Sequence, residues 1–166
     1  MASRLHALKQ LIGALLVCAT GACAGPAAQE RDRNVGTVRA FFRHLDEKNI
    51  DAWAGLWAEH GRILVAYPPA GFPDTIDGAA EIVRGFRQLF GHFGEFAATI
   101  RAVYPGFDPN IVVVEYDVMA TLPARDTTYR GNNIAVFEFQ RGKIAVYHDY
   151  FDPRKFQVVV DAAAAR

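Results

Sequence analysis

Close to the C-terminus, Tyr147-His148-Asp149-Tyr150-Phe151-Asp152-Pro153 gathers two carboxylates, a histidine and three aromatic rings into seven residues. The chemistry such a set could do is proton transfer. A carboxylate walled by rings loses its solvent, and its pKa climbs toward the range in which a general acid or base works at neutral pH. Strand alternation divides the set: Tyr147, Asp149 and Phe151 share one face, and His148, Tyr150 and Asp152 share the other. If the first face is covered, Asp149 is a pocket acid between two rings, with Tyr147 and Phe151 as ligand contacts. If it is the wet side of a sheet, Asp149 is an ordinary solvated acid. His148 is the natural partner by type and is kept as a ligand contact, although alternation turns it away unless a bulge intervenes. Asp152, before Pro153, most simply ends the strand and caps a short final turn.

Further upstream, Glu115 and Asp117 share a strand face with Val113 and Met119, opposite Tyr116. An acid among Val and Met is either a second pocket carboxylate or a partner for Arg101 or Arg130 across the sheet. Asn132 and Asn133 precede an apolar strand; the Asn133 amide could orient a ligand carbonyl, or the pair could mark a turn or edge. Tyr67 stands where a strand meets a Pro-rich loop, a rim position for a ring with a polar tip. Trp53 and Trp57 lie four apart on one helical face, read first as core and otherwise as a pocket lid, which keeps Trp57 as a candidate ligand contact.

Other chemistries are excluded. Ser3 is the chain's one serine, and Cys18 and Cys23 are its two cysteines, all three near the N-terminus. The remainder therefore carries no serine or thiol nucleophile and no disulfide. No His-x-His or His-Glu-x-x-His spacing occurs, no glycine-rich phosphate loop occurs, and neither a metal nor an organic cofactor is expected.

The elements that must position these groups read as follows. Val35, Val38, Phe42 and Leu45 recur at helical spacing behind a polar lead-in at 29–34, with Asn34 as cap. Asp51 is placed to cap a second, shorter helix bearing Trp53, Leu56 and Trp57. Gly61 ends it, "RILVAYPP" is a strand, and Pro68, Pro69, Gly71 and Pro73 stiffen a loop. A third helix from about Asp77 carries Ile82, Val83, Phe86, Leu89, Phe90 and Phe93. From about residue 96 the period becomes two, giving four strands with a tight turn at Arg141-Gly142. Helices first and strands last predict an α+β fold: a curved antiparallel meander packed against three N-terminal helices, enclosing a cone-shaped pocket. The Ala-rich tail at 162–165 is expected to fray.

Residues 1–28 read as a secretory signal peptide. Arg4 and Lys9 form a basic start, Leu11–Cys18 an apolar core, and Ala22-Cys23-Ala24 a small-residue cleavage site. The domain is then 29–166, periplasmic or secreted; lipidation at Cys23 is the alternative that would tie it to a membrane. The leader takes two of the 18 basic side chains and none of the 18 acidic ones, leaving a net charge of about −2. With no basic stripe, nucleic acid is not an expected partner.

The stretches "LWAEHGRILVAYPPAGFPDTIDGAAEIVRGFRQLF" and "FEFQRGKIAVYHDYFDP" resemble the SnoaL-like branch of the nuclear transport factor 2-like fold. The Tyr-Pro-Pro-x-Gly-Phe-Pro loop, Gly78 opening the third helix, and Gly142-Lys143-Ile144 before an aromatic-acid strand carry the likeness, which spans about 34–156. It implies an α+β cone, a homodimer through the outer sheet face, and a pocket for a small apolar, often cyclic molecule. It also implies cofactor-free acid/base chemistry by a sheet carboxylate or histidine. Several members read Arg-Glu-Tyr-x-Asp where this chain has His148-Asp149-Tyr150-Phe151-Asp152, which puts Asp149 at the pocket acid's position, one methylene shorter. The Arg-Asp-Asp set of epoxide hydrolases has no counterpart, nor do the paired tyrosine and protonated aspartate of ketosteroid isomerases at matching positions.

The expectation is thus proton transfer (isomerisation, cyclisation or dehydration) by Asp149, assisted by Glu115 or Asn133. Its rivals are a non-catalytic ligand-binding or dimerisation domain and a structural dimer whose own side chains fill the cone.

Overall fold

The computed structural model describes residues 25–164. The leader's charged start, apolar core and cleavage site, with Cys23, lie outside the described residues. Four helices, α1 (Pro26–Asp46), α2 (Ile50–Ala54), α3 (Ala79–Phe90) and α4 (Pro153–Ala164), accompany six strands. These are β1 (Trp57–Val65), β2 (Thr75–Asp77), β3 (Phe96–Pro105), β4 (Ile111–Leu122), β5 (Thr127–Gln140) and β6 (Lys143–Tyr150). They form one sheet in the order β2-β1-β6-β5-β4-β3.

The meander β3 to β6 is antiparallel throughout. Its last turn puts Arg141 at φ 54° and Gly142 at φ 74°, the pair of left-handed residues that a two-residue hairpin of this twist requires. The sheet as a whole is mixed, because β1 runs parallel to β6, with Val65 beside Asp149. Register shifts in the β1–β6, β3–β4 and β5–β6 pairs add local twist, and the sheet curls around α1 and α3.

Helix α1 starts at Pro26, with the fixed φ of proline suited to a first turn, and runs through the expected polar lead-in. Its first three residues fall on the leader side of the boundary expected at 28. Asn34 is therefore not a cap but a buried mid-helix side chain, donating from Nδ2 to the Pro109 carbonyl at 2.9 Å. Arg31 donates to the carbonyls of Gly106 and Phe107, so the β3–β4 turn holds the front of the helix.

Helix α2 is capped by Asn49, which accepts from Ala52 N–H at 3.1 Å, rather than by Asp51. It stops at Ala54, and Trp57 opens β1 instead of extending the helix. Residues 162–164 of the tail expected to fray close α4, whose first N–H groups are met by the Asp152 carboxylate at 2.9 and 3.4 Å. Phe156, Val159 and Ala162 line its inner stripe, and the latter two are fully covered.

The core lies between the concave sheet face and the helices. Phe41 is its hub, with ring centroids 5.1–5.3 Å from Phe42, Trp53, Phe137 and Tyr147. Each such pair contributes about 0.5–1.5 kcal/mol beyond area burial. Helix α1 thereby fixes the rings of β5 and β6 from below.

Candidate functional site

Inward positions of β4, β5 and β6 alternate as the pleat demands. Val112, Val114, Tyr116 and Ala120 of β4 are buried, as are Tyr129, Asn133, Ala135 and Phe137 of β5. On β6 the bulge opposite Glu138–Phe139 absorbs one residue, so Ile144 and Tyr147 both point inward despite their odd spacing. Beyond the bulge, period two resumes and delivers Asp149 to the same side as Tyr147.

These side chains end in a cavity of about 90 Å³. At 10–15 Å³ per water, that is room for roughly six to nine waters, or for a molecule of about one or two rings. Twelve aromatic rings line it, from nine phenylalanines and three tyrosines, and Asp149 is its single charged group. The protein's own side chains leave it open.

At its polar end Tyr116 Oη donates to Asp149 Oδ1 at 2.8 Å, and the Tyr116 and Tyr147 hydroxyls meet at 2.9 Å. If Tyr116 gives its proton to the carboxylate, Tyr147 must give its own to Tyr116, so the three groups form a chain ending on Asp149. Both tyrosines are braced by α1: Phe41 stacks on Tyr147, and Phe42 packs on Tyr116 at 4.8 Å. Burial pushes the Asp149 carboxyl up to about 6, the two hydroxyls pulling it back only in part. Burial, then the Asp149 charge, hold both tyrosines well above their ordinary value, so they remain donors.

Of the residues singled out from sequence, Asp149, Tyr147, Phe151 and Asn133 all line this cavity. The other four do not. Glu115 is on the outer face opposite Ile134, exposed, and accepts from the Tyr104 hydroxyl at 3.2 Å; solvation of the charge decides its side. His148 is also on the outer face, with Nε2 2.6 Å from Glu138 Oε1, because the bulge lies before Tyr147 and leaves the later alternation intact. Tyr67 is 66% exposed, since the turn into Pro68-Pro69 carries it away from the sheet, and Phe72 of the same loop lines the cavity instead. Trp57 is buried in the core against Phe41, Trp53 and Tyr147 and does not reach the cavity.

Tyr116 and Tyr129 were missed as site residues. Valines occupy both faces of β4, so apolar alternation does not say which face is inward; the exposed acids at 115 and 117 were the usable signal. Among the described residues, no group of three His, Cys, Asp or Glu side chains is placed to hold a metal ion.

Comparison with known proteins places this architecture. The chain is 29% identical over 124 residues to the uncharacterized protein YesE of Bacillus subtilis (strain 168), covering 75% of this chain and 84% of that one. A Bacillus subtilis crystal structure described as a candidate isomerase superposes with a TM-score of 0.70 at 27% identity, over 80% of this chain and 96% of that one. An LEH-like epoxide hydrolase of Mycobacterium tuberculosis superposes at 0.61 with 21% identity, over 81% and 94% of the two chains, a likeness of fold alone. The family model for the SnoaL-like domain matches residues 38–147, from the core of α1 to the second tyrosine of the Asp149 chain. The protein belongs to the SnoaL-like family, in the nuclear transport factor 2-like α+β cone superfamily.

Proposed function

We propose that the cavity binds a small, largely apolar ring compound bearing a carbonyl group, and that Asp149 moves a proton on it without a cofactor. The observation that carries this reading is a lone carboxylate, held by a tyrosine at 2.8 Å and poised at about 6, inside an aromatic cavity. The Tyr116 bond fixes the carboxylate through Oδ1. As a carboxylate, Asp149 takes a proton from the carbon next to the carbonyl; the C–H electron pair moves into a new C=C bond while the carbonyl π pair goes to oxygen. As a carboxylic acid it returns that proton at the same or a conjugated carbon, so isomerisation, cyclisation and dehydration share one first step. The candidate isomerase among the neighbours agrees with this class of reaction.

The test does not require the natural substrate. Wild-type protein in D₂O should exchange the α-protons of 1-tetralone, followed by NMR, faster than buffer, and Asp149→Asn should reduce exchange to the buffer rate. Undiminished exchange in that variant ends the assignment. If 1-tetralone binds but wild-type protein does not accelerate its exchange, the second reading holds: a receptor without turnover, which the apolar lining favours equally.

Export through the leader and pairing of two chains through the outer sheet face belong to the same proposal. The second is supported by Tyr104, Ile134 and Tyr150, large apolar side chains left 37–50% exposed on that face.

A further inference from the structure

Six buried side-chain nitrogen or oxygen atoms among the described residues have no hydrogen-bond partner within the protein. Two of them, the Tyr129 hydroxyl and Asn133 Oδ1, belong to residues lining the cavity. Both residues are more than nine-tenths buried, at 3% and 7% exposure. They stand at alternate positions of β5 with Gly131 between them, and they converge there: a Cβ placed on Gly131 would lie 2.3 Å from Tyr129 Oη and 2.7 Å from Asn133 Oδ1. Glycine is thus the residue that lets two polar groups lean together over the bare backbone. The Asn133 amide N–H side faces the Tyr116 and Tyr129 oxygens as a donor and favours their ionised forms, which leaves the Tyr129 proton and Asn133 Oδ1 as the unpaired groups. Burial nonetheless pushes Tyr129 up to about 12, so its hydroxyl keeps its proton.

Leaving such groups unpaired is costly, and the cost is recovered only by an occupant that satisfies both. We propose that Tyr129 and Asn133, set over Gly131, form a second polar subsite that binds a hydroxyl group of the ligand. A hydroxyl both donates and accepts, so it can take the Tyr129 proton and give its own to Asn133 Oδ1 at once. A bare carbonyl cannot donate to Asn133, and an ammonium cannot accept from Tyr129. Rings between the two polar ends are served by the phenylalanine walls. The ligand class is therefore a ring compound with a hydroxyl at one end and, resting on the proton-transfer reading above, a carbonyl facing Asp149 at the other.

The experiment measures affinity by calorimetry for 1-tetralone and for its isomers carrying one hydroxyl on the aromatic ring, with wild-type protein, Tyr129→Phe and Asn133→Leu. In wild type at least one isomer should bind about tenfold tighter than the parent ketone, the gain from satisfying a buried pair. In either variant that ratio should fall to about one. The Tm of Tyr129→Phe should stay close to that of wild type, which shows the variant to be folded, since the hydroxyl's proton is donated to no group within the protein. No gain for any isomer, or a gain that persists in both variants, overturns the subsite while parent-ketone binding keeps the cavity reading alive. Failure of every compound to bind wild-type protein overturns both.

Discussion

Asp149 and Asp117 stand two strands apart on opposite faces of one sheet, and the contrast shows how the same side chain becomes two different groups. Asp117, on the outer face, has the Arg101 guanidinium at 2.5 Å and the Asn132 amide at 2.8 Å. The Asn132 amide first, and then the Arg101 guanidinium, hold its carboxyl below the usual carboxylate range against the opposing effect of burial. Asp149, on the inner face, faces no cation; its partners are hydroxyls, and burial pushes it up to about 6. Burial without a counter-charge raises a carboxyl toward neutral pH, whereas an amide donor beside a cation keeps one an anion.

The largest effect expected from breaking this contrast is on chemistry. Asp149→Asn should lower ketone α-proton exchange by about 10²- to 10⁴-fold, while Asp117→Asn and Glu115→Gln leave it at the wild-type rate. NMR exchange assays of the three variants side by side make the comparison. In wild type, exchange should rise with pH to a plateau with a midpoint of about 6, since the base form is the ionised one.

Next comes Tyr116→Phe. Its hydroxyl favours the ionised Asp149, so removing it should move that midpoint upward, and exchange at pH 6 should fall several-fold. A pH–rate profile in which the midpoint stays put or falls would show that the tyrosine chain does not act on Asp149.

A third outcome concerns stability. Because folding raises the pKa of Asp149, the folded state holds this proton more tightly than the unfolded chain. The contribution is most favourable below about 4, is lost as pH rises through about 6, and is flat above. At pH 8 Asp149→Asn should then be more stable than wild type by on the order of 3 kcal/mol, the net cost of ionising the buried carboxyl after its tyrosine hydrogen bonds are counted. At pH 4 the difference should vanish; urea unfolding at both pH values reads it directly. The smallest effect on activity belongs to the outer face. Ile134→Arg should convert a dimer to monomers in sedimentation velocity with the cavity's ligand affinity retained, and a wild-type monomer would remove that face from the proposal.

The sheet was legible where pattern is local. The four-strand meander, the Arg141-Gly142 turn and the third helix follow from period and turn chemistry, and the alternation of β6 placed Asp149 and His148 on opposite faces, as observed. The illegible parts depend on partners far along the chain. The early start of α1 has no apolar period to announce it; Arg31 and Asn34 are tied instead to carbonyls some 75 residues away. The parallel β1–β6 pairing has no local signal at all. Helix α4 was hidden in an alanine-rich tail whose inner stripe has meaning only once β5 is beneath it. Glu115 stayed open between pocket and surface because its neighbours Val113 and Met119 are apolar, although all three share the outer face.

That β1–β6 pairing has a consequence in time rather than in space. The sheet's centre joins residues 57–65 to residues 144–149, so it is completed only after nearly the whole chain is available. Long-range closure of this kind is slow, because the entropy of the intervening loop is lost before any contact compensates for it. A nascent chain emerging from the ribosome has α1, α3 and three meander strands before it has any part of Asp149's strand. The aromatic cavity around Asp149 is therefore among the last features to exist.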